Sequence, residues 1–317
     1  MSLYKNIAVI GGGSWATAIV KMLLENQDSV RWWMRNKENI AHIQRYGNNP
    51  NYISSAELLP NKLTIDSDIN TIVRVADCIV LAVPSVFLTK TLESLNVSIK
   101  DKFIVSAIKG IVPDNNSIIG DYLHENYLMP YENIGVVTGP CHAEEVALER
   151  LSYLTVACED VKKAEWFAEQ ISCRYIKSNV SEDIYGTEIA AVLKNVIAIA
   201  SGVCHSLGYG DNFQAVLASN AIREINRFVD TVHPIKRDIK ESAYLGDLLV
   251  TVYSQFSRNR TFGNMIGKGY SVKSAQLEMN MVAEGFHAVK CIKEINEQYN
   301  IDMPITNAVY HILYEKI

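Results

Sequence analysis

The stretch that most constrains this chain is its start. Asn6 to Ile10 (NIAVI) is a short apolar run of the kind that forms a strand buried on both faces. It passes straight into Gly11-Gly12-Gly13-Ser14-Trp15-Ala16, and Thr17 to Glu25 then carries helical spacing. A buried parallel strand followed at once by a helix commits the chain to crossover connections and a covered sheet. Gly11-x-Gly13-x-x-Ala16 also has the spacing of a dinucleotide turn. Gly11 permits the tight turn, Gly13 lets a pyrophosphate approach the backbone, and Ala16 is small enough for helix to pack on strand. The first N–H groups of the helix are then available to phosphate. An ordinary glycine-rich loop has similar composition; what separates the two is the position at the end of a first strand.

Further apolar runs follow at 29–34, 78–83, 103–107, 134–137, 154–157 and 174–176, with a long loop at 47–60 and a helix at 161–171. Their alternation with helical segments predicts a mostly parallel sheet covered on both faces. Residues 1–180 therefore read as a Rossmann-type, doubly wound, dinucleotide-binding domain. Ligands on such sheets sit beyond the carboxyl ends of the strands. Val83-Pro84-Ser85, Lys109-Gly110 and Gly139-Pro140-Cys141 all fall there. At the end of the second strand, where an NAD-selective site carries an acid, stands Arg35 followed by Asn36. A guanidinium there accepts a 2′-phosphate, so NADP is expected alongside NAD.

Beyond about residue 180 the strand signal stops. Residues 181–317 read as an all-helical domain, with helices over 182–206, 212–229, 241–256, 273–297 and 304–316. Ser181 is a candidate cap for the first, and Gly202 and Gly208 mark where it ends. Within it, Glu188 to Ala200 (EIAAVLKNVIAIA) is apolar almost all round, the pattern of a buried helix. Lys194 interrupts it. A buried ammonium must pair or lower its pKa, and a desolvated lysine is a good proton donor and acceptor. Glu188 lies on another face of the helix, so the partner must come from elsewhere. A lysine snorkelling from a helix edge is the plainer alternative. Asp247, in Tyr244-Leu245-Gly246-Asp247-Leu248, is an acid beside a glycine. Ser257-Arg258-Asn259-Arg260, expected to end its helix, supplies the donors an oxyanion needs. Glu284-Gly285, preceded by Val282 and Ala283, is expected inside a mostly apolar helix.

With 317 residues, 48% apolar and 21% charged, the chain is globular, and its net charge of −5 argues against a nucleic-acid partner. Six cysteines show neither a CxxC pair nor metal-ligand spacing, which favours a reducing, cytoplasmic setting without a metal. No signal peptide and no uninterrupted membrane-spanning stretch is expected. A homodimer is compatible with this reading.

Taken in order, GGGSWATA at 11–18, SAIKG at 106–110, TGPCHAEEVA at 138–147, LKNVIAIASG at 193–202, LGDLLVT at 245–251, SRNRTFG at 257–263, AEG at 283–285 and MPI at 303–305 resemble the bacterial-type NAD(P)-dependent glycerol-3-phosphate dehydrogenases nearly end to end. The resemblance implies reversible reduction of dihydroxyacetone phosphate to sn-glycerol 3-phosphate, feeding phospholipid synthesis. It implies that Ser14, Trp15, Arg35, Lys109, Ala143, Arg258, Val282 and Glu284 line the cofactor site, beside Gly11 and Gly13. It implies that Lys109, Gly139, Cys141, Ser257, Arg258 and Asn259 hold substrate. Lys194 becomes the proton acceptor, Asp247 its partner and Lys109 the polarising cation. The chain departs from the family at Cys141, where serine is usual, at Asn220-Ala221 in place of Arg-Gly, and at Ala191 in place of glycine. A 3-hydroxyacyl or ketopantoate type dehydrogenase, or a non-enzymatic cofactor sensor, are the competing readings.

Overall fold

The structure, a computed structural model, describes residues 3–279 and 282–315, and its contacts divide the chain into two units. One comprises residues 1–108 and 119–184. The other comprises 109–118 and 185–317.

The first unit alternates strand and helix: β1 (Ile7–Ile10), α1 (Ser14–Asn26), β2 (Val30–Trp33), α2 (Lys37–Tyr46), β3 (Leu63–Asp66), α3 (Ile69–Arg74), β4 (Cys78–Leu81), α4 (Leu88–Glu93), β5 (Phe103–Ser106), α5 (Ile119–Tyr127), β6 (Ile134–Thr138), α6 (Ala143–Ala147), β7 (Ser152–Cys158), α7 (Val161–Ile171) and β8 (Ile176–Ser181). The eight strands form one sheet in the order β3-β2-β1-β4-β5-β6-β7-β8. All neighbours are parallel except β6 and β7, which run antiparallel. Alternate residues Ile7, Val9, Val30, Trp32, Cys78, Val80, Phe103 and Val105 share one core with α1 and α7, while Ala8, Ile10, Ile79, Leu81 and Ile104 on the opposite face are equally buried. Because β1 is flanked by β2 and β4, the direction of winding reverses there, which opens a crevice at the strands' carboxyl ends. The glycine turn follows β1 at that point.

Two strands depart from the sequence expectation. β3 was not signalled by its pattern, since LTID is an edge strand and mostly not buried. The last strand runs from Ile176 to Ser181 rather than over 174–176, because Cys173 and Ile176 close a small bridge before it and its polar outer residues mask the period.

The second unit holds α8 (Ile184–Ser206), α9 (Asp211–Val232), α10 (Asp247–Tyr253), α11 (Arg258–Gly267), α12 (Val272–Glu278), α13 (Glu284–Tyr299) and α14 (Pro304–Tyr310). α8 is its axis: Ile189, Val192, Leu193, Val196, Ile197 and Ile199 belong to a core completed by residues of α9, α10, α11 and α13. α8 is long and apolar enough to cross a membrane by length and composition alone, although Glu188 and Lys194 interrupt its apolar run as the sequence showed. Its 23 residues are instead the core of this unit, with 83% of its most apolar stretch buried. The helix ends at Ser206, between Gly202, which lies in its last turns, and Gly208, which follows it with a φ of +86°. Ser181 accepts a hydrogen bond from the Asp183 backbone N–H, one residue ahead of α8.

Three further corrections concern helix ends. The helix expected over 241–256 begins with a π-turn, Ser242–Gly246, which hands over to α10 at Asp247. The one expected over 273–297 is two helices, α12 and α13, so Glu284-Gly285 opens a helix rather than interrupting one. Ser257-Arg258-Asn259-Arg260 begins α11 instead of ending the helix before it: the Ser257 hydroxyl caps α11 by accepting from the Arg260 N–H.

Candidate active site

Candidate site residues fall in both units. In the first, Gly11 has a φ of +138°, and a Cβ there would overlap the Ala82 carbonyl, so only glycine fits. Gly13 caps α1 with an ordinary φ of −85°, and a Cβ there would meet nothing within 4 Å. Nothing among the described residues accounts for its missing side chain. Space held open at a helix N-terminus fits a pyrophosphate, and this is the structural test that the turn suits a dinucleotide. Ser14 is buried at the start of α1, Trp15 is half-buried against the sheet core, and Ala16 is fully buried. Arg35 is exposed, two residues past β2, with its guanidinium 5.9 Å from the centre of the Phe87 ring. Asn36 caps α2 by accepting from the Glu38 and Asn39 N–H groups, so no acid occupies the strand end. Beyond β6, Gly139 has a φ of +124°, and a Cβ would lie 2.8 Å from the Tyr153 carbonyl. Cys141 and Ala143 are buried next to it, Cys141 within the apolar core.

In the second unit, Lys194 projects from α8 onto the Asp247 carboxylate at the start of α10, in direct contact with Oδ1. Lys109 reaches the same carboxylate, 3.3 Å from Oδ2 and 3.5 Å from Oδ1. Asp247 is 1% exposed, so the amino groups of two lysines share one buried carboxylate. Burial pushes the Lys194 ammonium down to about 7; Asp247 opposes this, and Lys109 adds to it. The lowering at Lys194 is the direction that burial of an ammonium dictates. The plainer alternative fails, since its side chain is 6% exposed and does not snorkel.

The neighbouring helices are brought to this centre by glycine. A Cβ on Gly202 would overlap the Arg260 carbonyl, and one on Gly263 the Ile199 carbonyl, so α8 and α11 touch backbone to backbone. A Cβ on Gly285 would lie 2.6 Å from the Asn195 carbonyl, so α13 starts against the residue after Lys194. The Gly285 N–H donates to Asn259 Oδ1 at 2.9 Å, tying the start of α11 to the start of α13. Ser257 and Asn259 are buried, Arg258 half-buried, and Val282 and Glu284 half-buried beside them. Arginines in the first turn of a helix oppose its dipole. α11 has Arg258 and Arg260 there and no acid, an arrangement that favours an anion at this end.

Sequence reasoning missed Asn195 as a site residue. Its Nδ2 donates to the Lys109 carbonyl at 2.8 Å and anchors the segment that carries the second lysine. Only the position beside Lys194 could have signalled it. Of the departures from the family pattern, Ala191 is buried inside α8 and Asn220 is exposed on α9.

The comparisons with known proteins agree over the whole chain. The family model described as NAD-dependent glycerol-3-phosphate dehydrogenase N-terminus matches residues 6–164, and its C-terminus counterpart matches residues 183–317. A glycerol-3-phosphate dehydrogenase [NAD(P)+] of Staphylococcus carnosus is 32% identical, covering 98% of this chain and 94% of its own. That of Chlorobium phaeobacteroides is 35% identical, covering 98% and 93%. The crystal structure of glycerol-3-phosphate dehydrogenase from Coxiella burnetii superposes with a TM-score of 0.89 at 26% identity, covering 99% of this chain and 95% of that one. With both halves matched in order and relatives above 30% identity along nearly its full length, the chain belongs to the NAD-dependent glycerol-3-phosphate dehydrogenase family.

Proposed function

We propose that this protein reduces dihydroxyacetone phosphate reversibly to sn-glycerol 3-phosphate with NADPH or NADH. The observation that carries this is the buried Lys194, set near neutrality and sharing Asp247 with Lys109. The bound nicotinamide supplies the hydride, or receives it in the reverse direction. Lys194 Nζ gives its proton to the carbonyl oxygen in reduction and takes it back in oxidation. Asp247 orients that ammonium, and the Lys109 charge steadies the developing alkoxide. Ser257, Arg258 and Asn259 hold the phosphate at the start of α11, so binding energy remote from the reacting carbon orients it. Gly139 and Cys141 complete the substrate contacts. Ser14, Trp15, Arg35, Ala143, Val282 and Glu284 complete those to cofactor.

On this reading residues 1–180 are the dinucleotide-binding domain and 181–317 the substrate domain, with Lys109 lent to the latter by the excursion after β5. Membership of the family, matched over both halves, speaks against the 3-hydroxyacyl and ketopantoate alternatives. Retention of the lysine pair and its carboxylate speaks against a mere sensor. We place the enzyme in the cytoplasm, its product entering glycerophospholipid synthesis, and sedimentation would decide between monomer and homodimer.

The test is oxidation of NADPH and of NADH with dihydroxyacetone phosphate, beside unphosphorylated dihydroxyacetone. Turnover with the phosphorylated substrate, and poor turnover without the phosphate, is expected. A folded protein inert towards dihydroxyacetone phosphate with both cofactors would falsify the assignment.

A further inference from the structure

The glycine turn is braced from behind. Three successive carbonyls, those of Gly11, Gly12 and Gly13, each accept a side-chain hydrogen bond. The Trp32 indole N–H donates to Gly11 O at 2.6 Å, Asn49 Nδ2 to Gly12 O at 3.2 Å, and the Thr17 hydroxyl to Gly13 O at 3.0 Å. The brace is a connected set, because Asn49 Nδ2 also donates to Thr17 Oγ1 at 2.8 Å. Trp32, Asn49 and Thr17 are all fully buried. A trans peptide is planar, with its N–H opposed to the C=O before it. Holding these three carbonyls inward therefore aims the N–H groups of Gly12, Gly13 and Ser14 the other way, where Gly13 leaves open space.

Asn49 is the member of this set with no other evident duty. It lies in the long loop between α2 and β3, which the sequence marks only as a loop. That loop is built rather than slack: Gly47 ends α2 with a φ of +71° and its carbonyl accepts from the Leu58 N–H at 2.8 Å, while Asn48 Nδ2 donates to the Ser54 carbonyl at 3.0 Å. The Asn49 Oδ1 accepts from the Asn51 N–H at 3.2 Å, which fixes the carboxamide with its NH2 turned to the glycine turn. Long ordered loops in compact domains usually serve a function.

We propose that Asn49 is a positioning residue for the cofactor, acting with Thr17 and Trp32 to hold the glycine-turn carbonyls inward so that the backbone N–H groups meet a pyrophosphate. This rests on the dinucleotide assignment of the turn. The full-length protein is titrated with NADPH, with ADP-ribose, which carries the pyrophosphate, and with adenosine, which does not. Asn49→Ala should weaken NADPH and ADP-ribose about tenfold, the scale of one positioned hydrogen bond, and leave adenosine unchanged. At saturating cofactor its kcat should stay near that of the parent, so the loss appears in KM for cofactor alone. Thr17→Val should reproduce the loss and Thr17→Ser restore binding. Combining Asn49→Ala with Thr17→Val should cost less than the sum, since the two share one network. Unchanged ADP-ribose affinity in Asn49→Ala, or an equal loss for adenosine and ADP-ribose, overturns the proposal and leaves Asn49 a packing residue. A parent protein that binds neither NADPH nor ADP-ribose overturns the dinucleotide assignment itself.

Discussion

The glycine turn of the first unit and the lysine centre of the second solve opposite problems. On the proposed reading the turn recognises with backbone, so its chemistry lies in what side chains are absent: Gly11 because the Ala82 carbonyl occupies the space, Gly13 because nothing among the described residues does. The lysine centre is built from side chains alone, drawn from α8, from α10 and from the segment after β5. A backbone site needs consecutive residues and is written as a motif. A side-chain site needs burial and convergence, and its members stand 85 and 53 positions apart in the chain, Lys109 to Lys194 to Asp247. Damage to the first should therefore appear in binding, and damage to the second in turnover.

The sharpest way to break that distinction is at Lys194. Lys194→Ala should lower kcat by roughly 10²–10⁴-fold, the usual loss of a positioned general acid, while NADPH titrates as before. A variant within about threefold of the parent kcat would remove the lysine from the reaction. The same residue sets a pH dependence. Its pKa is lowered by burial to about 7, so the protonated donor is lost as pH rises through 7. The kcat of carbonyl reduction should fall over that window and that of alcohol oxidation should rise. In Asp247→Asn the opposing pull of the carboxylate is gone, so both midpoints should move to lower pH. Profiles that do not move would show that the titrating group is another one.

Next in size is the phosphate end. Arg258→Ala should raise KM for dihydroxyacetone phosphate by roughly 10- to 100-fold, the worth of a charge-assisted hydrogen bond of about 1.5–3 kcal/mol. Unphosphorylated dihydroxyacetone should be affected far less. Equal effects on both would mean that the arginine at the start of α11 does not hold phosphate.

How much of this was legible follows the same division. The strand, glycine turn and helix at the start of the chain and the buried helix around Lys194 were plain from period and composition. The partner of Lys194 was not, because nothing local ties Asp247 to a helix 53 residues earlier; the family resemblance named it. Ser257-Arg258-Asn259 was legible as a cluster but assigned to the wrong end of a helix. Arginines are favoured at C-termini by the dipole, and here Arg258 and Arg260 stand in the first turn of α11 against that preference. Asn195 and Asn49 act by holding backbone carbonyls, and no pattern marks an asparagine that does so.

A smaller effect is expected where the turn meets the adenosine end. Arg35 is exposed, with its guanidinium over the Phe87 ring at 5.9 Å from the ring centre, so screening limits its worth. Arg35→Asp should lower the NADPH/NADH ratio of kcat/KM by roughly tenfold, through loss of one exposed charge contact and its reversal. The ratio, unlike either constant alone, is insensitive to a general loss of activity. An unmoved ratio would place Arg35 outside the adenosine pocket.

The smallest effect concerns stability and separates the two kinds of glycine within the turn itself. Gly11 cannot accept a Cβ without displacing the Ala82 carbonyl just past β4, and its φ of +138° is strained for any other residue. Gly11→Ala should lower Tm of the cofactor-free protein clearly, whatever happens to binding. Gly13 has a φ of −85°, compatible with alanine, and open space where the methyl would go. Gly13→Ala should therefore leave the cofactor-free protein as stable as before or raise its stability by about 0.4–1 kcal/mol, because the unfolded chain loses freedom and the folded one loses nothing. The same methyl would stand where a pyrophosphate must approach, so NADPH should weaken in a protein that has become no less stable. If Gly13→Ala lowers Tm as Gly11→Ala does, the open space at Gly13 serves the fold and not a ligand. If it changes neither Tm nor NADPH affinity, the pyrophosphate lies elsewhere along the turn.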